Sequence, residues 1–481
     1  MARDVVANLA TFIGVAVVAR VLGPGEYGLA SVALVYPGLV GAVVGLGLEQ
    51  AVIRFASSGG ISAGRYVYSG LWASAASGAA GAVAVLALAP LFASLLNRPG
   101  IAFGISTLSL YVFALVLFSA VSSAFLGLGW YGGGAVLELV RVFVRVAVSV
   151  GLALAGFGYL SVLWGFSLGY LAGALVGLLW LIRRLPPVGP SLGSVAELLR
   201  YSLPLHVPSL VSSAVGQALM GLLAVRASDV EMGNLAAASA LLIVVNMVAN
   251  AISAAAFSSL PLLLGDDARL RSAVDKSVFY MNAAVVPVAL GVAVFAGPLV
   301  RLAYGHAYGA APLYLSLLAA AYVYNVLAAY AVTLYANVVG RTGFTGLVTV
   351  ADAGVRALAA VPLIVKFGVW GYLLAPLVAT PASAGLTLVL GRRWLGFVPN
   401  LRKNAAVGLW ALAAFAAALP FRVVSDFLAL AVYVAALAAL AKRFVAREDA
   451  LELVELAGGV PIVGPLARRI GNAVVARLFP A

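Results

Sequence analysis

Long apolar runs follow one another through this chain, and most are as long as a helix that crosses a bilayer. Such a helix needs roughly 20 apolar residues. Apolar residues make up 64% of the 481 residues and charged residues only 9%, with a mean hydropathy of +1.11. Soluble domains average about 45–50% apolar and about 25% charged residues. The chain is therefore predicted to be an all-α integral membrane protein with almost no soluble mass.

Hydropathy and turn signals divide the sequence into about fourteen candidate transmembrane helices. Their predicted limits are residues 5–22, 29–56, 68–95, 101–127, 135–157, 160–182, 201–226, 232–263, 277–303, 312–339, 346–367, 370–391, 405–420 and 427–444. An even number of spans places both termini on the same side of the membrane.

The distribution of lysine and arginine predicts which side that is. With the N-terminus in the cytoplasm, 20 of the 29 basic residues fall in cytoplasmic segments, six fall outside and three fall within spans. This bias satisfies the positive-inside rule and predicts a multi-pass protein with both termini cytoplasmic. The cell membrane of a prokaryote is the expected location. The bias also accounts for most of the net charge of +13. Because the charges are spread over many loops, nucleic acid is not expected as a partner.

Two similar turns indicate an internal duplication. The turn over residues 20–30 and the turn over residues 226–236 share a Glu-x-Gly element, Glu26 with Gly28 and Glu231 with Gly233, repeated after 205 residues. A repeat of six helices predicts two six-helix bundles related by a pseudo-two-fold axis along the membrane normal. The alternative is that Glu-x-Gly turns merely punctuate helices.

The duplication divides the chain into five predicted parts. They are an N-lobe (1–182), a cytoplasmic linker (183–200), a C-lobe (201–391), two C-terminal helices (392–446) and an amphipathic cytoplasmic tail (447–481). The tail alternates apolar residues with arginines, as segments that lie on the inner leaflet do, although a solvated tail is an alternative.

Three arginines lie inside apolar runs, Arg141 and Arg145 in the fifth span and Arg356 in the eleventh. A cation at that depth costs at least about 2.5–3.5 kcal/mol on insertion scales. A chain carries that cost where the charge faces a wet or protein-lined cavity. A cationic cavity in a membrane protein indicates an anionic cargo.

Each of these two spans also carries an acid on the same helical face. Glu138 precedes Arg141 and Arg145, and Asp352 precedes Arg356 by four residues. One interpretation is two internal salt bridges that lock helices in a dry interior. The fifth span, however, has one cation more than it has acids, and an unpaired buried charge is expensive. A visiting anion would balance it, and the planar guanidinium suits phosphate.

The remaining chemistry is sparse. Arg54, five residues after Glu49, is predicted near the cytoplasmic end of the second span, where it either guards the inner mouth of the cavity or reaches the lipid headgroups. The absence of cysteine and the presence of only two histidines leave little for a metal, so neither cofactor nor metal is expected. A coupling ion is left open.

The sequence resembles the polysaccharide, or lipid-linked oligosaccharide, flippases of the multidrug/oligosaccharidyl-lipid/polysaccharide (MOP) exporter superfamily. The resemblance covers nearly the whole chain and depends on the order and spacing of six motifs: Asn8–Ala10, Ala19–Gly28, Gly45–Arg54, Tyr201–Leu205, Tyr304–Pro312 and Lys366–Tyr372.

The resemblance implies a transporter, not an enzyme. Its implied cargo is a polyprenyl-(pyro)phosphate-linked oligosaccharide, which would move from the inner to the outer leaflet by alternating access through a cationic central cavity. In related flippases cavity arginines are thought to hold the phosphates, a role that position assigns here to Arg141, Arg145 and Arg356. Membrane lipids and glycan-assembly proteins are the other implied partners.

Three alternatives remain open. A peptidoglycan-precursor flippase would also be expected to use a cationic cavity. A cationic-drug extruder of the same superfamily usually places an acid in the first span, where this chain has only Asp4 at the edge. A membrane glycan polymerase or ligase usually needs a large external loop, and the predicted outside loops are short.

Overall fold

The structure, a computed structural model, describes residues 2–57, 59–444 and 469. This part of the chain is built of helices joined by short turns and contains no strand. Helix is the structure expected of long apolar segments, because in hydrocarbon each backbone N–H and C=O must be paired within its own segment. The all-α prediction is confirmed. The predicted amphipathic tail over 447–481 lies outside the described residues, apart from Arg469.

The α-helices are numbered in chain order. They are α1 (Ala2–Ala33), α2 (Val35–Val44), α3 (Leu48–Ala56), α4 (Gly60–Leu95), α5 (Ala102–Gly127), α6 (Tyr131–Leu154), α7 (Leu160–Arg184), α8 (Leu192–Arg226), α9 (Asp229–Leu241), α10 (Ile243–Ser259), α11 (Asp267–Val294), α12 (Ala296–Tyr304), α13 (Ala311–Ala320), α14 (Ala329–Val338), α15 (Thr342–Phe367), α16 (Val369–Leu395), α17 (Leu401–Ala418) and α18 (Asp426–Phe444). Short 3-10 helices cover Pro99–Ile101, Leu260–Leu263, Ala321–Leu327 and Leu419–Val423.

Ten stretches of the described helices are long and apolar enough to cross a membrane. They are Val6–Val44, Ser62–Leu95, Pro99–Gly127, Leu160–Arg184, Leu192–Arg226, Asp229–Asn250, Asp267–Val294, Thr342–Phe367, Val369–Leu395 and Leu401–Val423. An eleventh is counted if the bent pair Ala311–Leu327 and Ala329–Val338 forms one span. The chain is therefore a multi-span helical protein, and the number fourteen stays a prediction.

Three of the predicted spans differ from those stretches because the helix path is broken. The first and second predicted spans fall mostly within the single stretch Val6–Val44, in which Gly23 leaves the helical region with φ 71° and ψ 172° and Pro24 follows it. The tenth predicted span bends by 61° at Ala328, whose φ of 53° is left-handed.

Two further predicted spans differ in composition or length. Helix α6, the fifth span, carries three charged residues within its apolar sequence, Glu138, Arg141 and Arg145. Helix α18, the fourteenth span, is apolar only over the short stretch Asp426–Ala439. Each predicted span thus has a helix, but neither α6 nor α18 is among the ten long apolar stretches.

The described residues divide into two compact units, one made of residues 6–236 and 364–369 and the other of residues 2–5, 237–363 and 370–444. The core of the first unit joins α5, α6 and α7 through fully buried side chains that include Val121, Phe125, Leu137 and Leu181. The core of the second unit joins α11, α17 and α18 through side chains that include Val286, Leu290, Ala414 and Tyr433. The predicted lobe boundaries stay a prediction.

Candidate functional site

Helix α6 brings Glu138, Arg141 and Arg145 onto one face, as their spacing of three and four residues requires. The Arg141 guanidinium donates to both carboxylate oxygens of Glu138, and its Nε lies 2.9 Å from Glu138 Oε2. The two side chains are 13% and 28% exposed. The intrahelical ion pair that the sequence left open is therefore present, and it compensates one of the two α6 cations.

Arg145 has a different environment. In the described part of the chain, no carboxylate lies within 4.0 Å of its guanidinium, whose central carbon instead lies 3.6 Å from the centroid of the Phe166 ring. Arg141 lies over the neighbouring Tyr170 ring at 4.7 Å, and Tyr111 meets both rings edge-on. Cation–π contacts of this kind hold a guanidinium in place without neutralising it. The surplus cation of α6 is thus Arg145.

Arg145 lines a cavity of about 110 Å³. Helices α1, α6 and α7 form its walls, and the lining includes four hydroxyl side chains, those of Thr11, Tyr27, Ser31 and Ser149. A cavity of this size with polar partners holds several water molecules. A guanidinium and hydroxyl groups among otherwise apolar lining residues can bind an anionic oxygen group, and the cavity is too small for a sugar chain.

A row of glycines on α7 places this helix against the arginines. Gly165, Gly169, Gly173 and Gly177 recur every fourth residue, and a Cβ at Gly169 would lie 2.7 Å from the carbonyl oxygen of Arg141. Small residues at this spacing let membrane helices approach closely. We call these four residues the glycine seam.

The glycine seam positions the aromatic side chains of the site against the arginines. Phe166 and Tyr170 each follow a seam glycine by one residue, and they reach Arg145 and Arg141 because the two helix backbones touch. Neither the seam nor the role of these rings was predicted from the sequence. The four-residue glycine period was the signal that could have identified them.

The predicted site residues of the eleventh span lie in the other unit. On α15, Arg356 Nε lies 2.7 Å from Asp352 Oδ2, and the hydroxyl of Ser383 on α16 donates to Asp352 Oδ1 at 2.5 Å. The Arg356 side chain is 59% exposed and that of Asp352 is 27% exposed. The second ion pair left open by the sequence is also present, with its cation largely accessible.

Arg54 at the end of α3 packs against Tyr201. Its Nη1 donates to the Tyr201 hydroxyl at 3.3 Å, and its guanidinium carbon lies 4.7 Å from the centroid of that ring. Glu49, one turn earlier on α3, lines a second cavity of about 210 Å³ together with Ser74 and Ser119. The gating role of Arg54 stays a prediction.

Residues 17–312 match the family model described as polysaccharide biosynthesis protein, which is more than half of the chain. The chain belongs to this family. This match confirms the resemblance to polysaccharide-biosynthesis proteins that was drawn from the six motifs. The comparison with curated proteins gives no match.

Solved structures show the fold that this family member adopts. The lipid II flippase MurJ in an inward closed conformation is similar with a TM-score of 0.72, at 12% identity over 92% of this chain and 99% of that chain. A multidrug resistance MATE family transporter of the MOP superfamily gives 0.63 in its inward-facing conformation, at 17% identity over 81% of this chain and 98% of that chain. The outward-facing form of such a transporter gives 0.57, at 18% identity over 82% and 93%.

These comparisons identify the family member as a multi-pass helical membrane protein with this fold. They do not test the roles assigned to the arginines and acids, which stay predictions. Among the described residues, no three His, Asp or Glu side chains gather as metal ligands would.

Proposed function

We propose that this protein is a flippase that moves a polyprenyl-(pyro)phosphate-linked oligosaccharide from the inner to the outer leaflet. The observation that carries the proposal is Arg145, a guanidinium held over the Phe166 ring, without a described carboxylate partner, beside a hydroxyl-lined cavity. Membership of a polysaccharide biosynthesis family supports a glycan cargo. The protein transports its cargo and does not change its bonds.

Electrostatics explains why the cargo carries phosphate. An arginine within a membrane-spanning helix is tolerated when it is solvated or meets an anion. A phosphate oxygen accepts bidentate hydrogen bonds from a guanidinium, and the loss of water by each partner is offset by their attraction. The cavity of about 110 Å³ admits a phosphate-sized group while the glycan and the polyprenyl tail stay elsewhere.

The other cations take secondary roles in this proposal. Arg141 is compensated by Glu138 and supports the ring cluster around Arg145. Arg356 is largely exposed but paired with Asp352, so it offers a phosphate site only in exchange for part of that ion pair. Arg54 is proposed to contact the headgroup as it enters from the cytoplasm.

The wider arrangement belongs to the same proposal. Fourteen spans form two six-helix bundles related by pseudo-two-fold symmetry, followed by two C-terminal helices, in the cell membrane of a prokaryote. Both termini face the cytoplasm, which the excess of 20 basic residues over six supports. Transport proceeds by alternating access.

Reconstitution tests the cargo chemistry. Purified protein in proteoliposomes receives a fluorescent polyprenyl-pyrophosphate sugar, and flipping is followed by the loss of accessibility to an added quencher. A matched lipid with the same sugar but no phosphate reports on the charge, and lipid II reports on the peptidoglycan alternative. We expect flipping of the pyrophosphate lipid and none of the uncharged lipid. Because lipid II carries the same pyrophosphate, faster flipping of lipid II than of the polyprenyl-pyrophosphate sugar would favour the peptidoglycan alternative.

Variants of Arg145 test the site. Arg145→Ala is expected to weaken binding of the pyrophosphate lipid roughly tenfold to a hundredfold, because charge-assisted hydrogen bonds contribute roughly 1.5–3 kcal/mol. Arg145→Lys keeps the charge but loses the planar guanidinium. Its affinity for the pyrophosphate lipid is therefore expected to lie between those of the parent and Arg145→Ala. Arg183→Ala, at an exposed arginine on the end of α7, is the matched control. Parent-like binding and flipping by Arg145→Ala would refute the proposed site.

A further inference from the structure

The two turns that carry the sequence repeat touch each other in the structure. A Cβ added to Gly28 would overlap the backbone carbonyl of Asp229, and a Cβ added to Gly233 would overlap the backbone carbonyl of Pro24. Each glycine therefore packs its bare Cα against the backbone of the opposite turn. The contact has no room for a methyl group on either side.

The contact is reciprocal under the repeat. Pro24 and Asp229 are 205 residues apart, and so are Gly28 and Gly233. Position 28 meets position 229, and position 233 meets position 24. Across a two-fold axis each contact occurs twice, with the two equivalent positions exchanged. The two glycine contacts show this pattern.

Arg98 adds side-chain contacts at the same place. Its Nε lies 2.5 Å from Asp229 Oδ1, its Nη2 donates to the carbonyl oxygen of Ala227 at 2.7 Å, and its Nη1 donates to that of Ala224. The Arg98 side chain is only 14% exposed. One guanidinium thus joins the end of α4 to the last turn of α8 and the first turn of α9. A cation at the carboxyl end of a helix is favoured by the helix dipole as well.

We propose that Pro24, Gly28, Arg98, Asp229 and Gly233 form a latch that closes the predicted outer face and must part each time cargo leaves. We call these five residues the outer latch. The inference rests on the proposed function, because only a protein that exposes its site alternately needs such a closure. All five residues belong to turns that the charge distribution places outside.

The composition of the outer latch suits a contact that opens repeatedly. Its centre is backbone against backbone, so it closes tightly without interlocking side chains. Its ion pair and carbonyl contacts lie at the predicted water-facing end of the helices, where water replaces them when the turns part. A latch of buried apolar side chains would instead expose them to water at each opening.

Distance measurement between spin labels tests the latch directly. The sequence contains no cysteine, so Val21→Cys and Val225→Cys label only two chosen positions. Both side chains are partly exposed, and they flank the two turns without belonging to the outer latch. Gly28→Ala and Gly233→Ala are each expected to shift the label-to-label distances beyond the range of the parent, because the added methyl cannot fit. The two variants are expected to agree, since their contacts are reciprocal.

Gly25→Ala is the matched control, since it lies in the same turn and a Cβ there meets nothing within 4 Å. Its distances are expected to equal those of the parent. A folded Gly28→Ala protein with parent-like distances would overturn the latch. If the glycine variants do not fold, Arg98→Gln decides: longer distances support the latch, and unchanged distances overturn it.

The distance measurement needs no cargo, so it is separate from the proposed function. Flipping is then measured with the same variants in proteoliposomes. Loss of flipping in the variants whose distances shift, with Gly25→Ala unaffected, supports an obligatory opening. A parent that shows the latch but flips no lipid-linked sugar refutes the proposed function and leaves the latch standing. Variants that shift in distance but flip at the parent rate overturn the obligatory role.

Discussion

Arg141 and Arg145 stand one turn apart on α6 and differ in what balances their charge. Arg141 has Glu138 as its ion-pair partner, whereas Arg145 has the Phe166 ring. Their sequence positions could be assigned to one helical face in advance. The pairing of Glu138 with Arg141 also follows from helical spacing, because Arg141 is three residues from Glu138 and Arg145 is seven. What holds Arg145 in place could not be predicted. The outcome depends on the rings of α7, which lie in a different span.

Removal of the Glu138 charge is expected to destabilise the protein. Glu138→Gln leaves two uncompensated cations on one face of α6, and loss of one partner of a half-buried pair costs roughly 1–3 kcal/mol after allowance for partial exposure. The measurement is thermal unfolding of the detergent-solubilised protein followed by intrinsic fluorescence.

The double variant Glu138→Gln with Arg141→Gln provides the control for that loss. It removes both charges but also the contacts of the Arg141 guanidinium with the Phe118 and Tyr170 rings, so it is expected to recover part of the stability lost in the single variant. If Glu138→Gln alone unfolds at the parent temperature, the ion pair has no structural role and Arg141 becomes as free as Arg145 to meet cargo.

At the scale of the helix, α7 positions the site through the glycine seam. Gly169→Ala is expected to destabilise the protein by roughly 1–3 kcal/mol, because its methyl would lie 2.7 Å from both the Arg141 carbonyl oxygen and the Arg145 Cβ. It is also expected to weaken cargo binding, since the shift of α7 carries Phe166 and Tyr170 with it. Thermal unfolding and lipid binding measure the two effects.

The same substitution at Gly151 on α6 is expected to act with the opposite sign. A Cβ at Gly151 meets nothing within 4 Å, and alanine is favoured over glycine within a helix by up to about 1 kcal/mol. Gly151→Ala should therefore unfold at the parent temperature or above it. Equal unfolding temperatures for the two alanine variants would contradict the close approach of α6 and α7.

Helix breaks were predictable only where glycine or proline favours them. The turn at Gly23 and Pro24 was readable from the sequence, since glycine accepts positive φ and proline follows easily at a helix start. The bend at Ala328 was not, because alanine seldom takes a φ of 53° and neither neighbour is glycine or proline. Packing of Asn282, whose Nδ2 donates to the Asn325 carbonyl at 3.0 Å, stabilises the 3-10 segment before the bend.

At the scale of the whole chain, the sequence repeat was visible but its contact was not. Glu26 and Gly28 repeat at Glu231 and Gly233, which indicates related turns. The contact between the turns joins residues that are far apart in sequence. It depends on how α8 and α9 pack and on Arg98, a residue with no counterpart in the repeat motif. The membrane class followed from composition, whereas the cavity beside Arg145 depends on the packing of α1 against α6 and α7, which follow much later in the chain.

The charge distribution makes a prediction about the orientation of the whole molecule. Gly100 is predicted outside and Gly189 is predicted in the cytoplasmic linker. Both are exposed, and a Cβ at either position meets nothing within 4 Å, so Gly100→Cys and Gly189→Cys are matched reporters in a chain without cysteine. A membrane-impermeant maleimide on intact cells is expected to label the first variant and to leave the second unlabelled.

Permeabilised cells supply the control for that orientation, because both variants should then label to a similar extent. The physical reason is that 20 basic residues against six bias every short loop toward the cytoplasm, and arginine and lysine resist translocation. Labelling of Gly189→Cys but not of Gly100→Cys in intact cells would show that the protein has the opposite orientation in the membrane. The outer latch would then face the cytoplasm, where it would control entry of the cargo in place of its release.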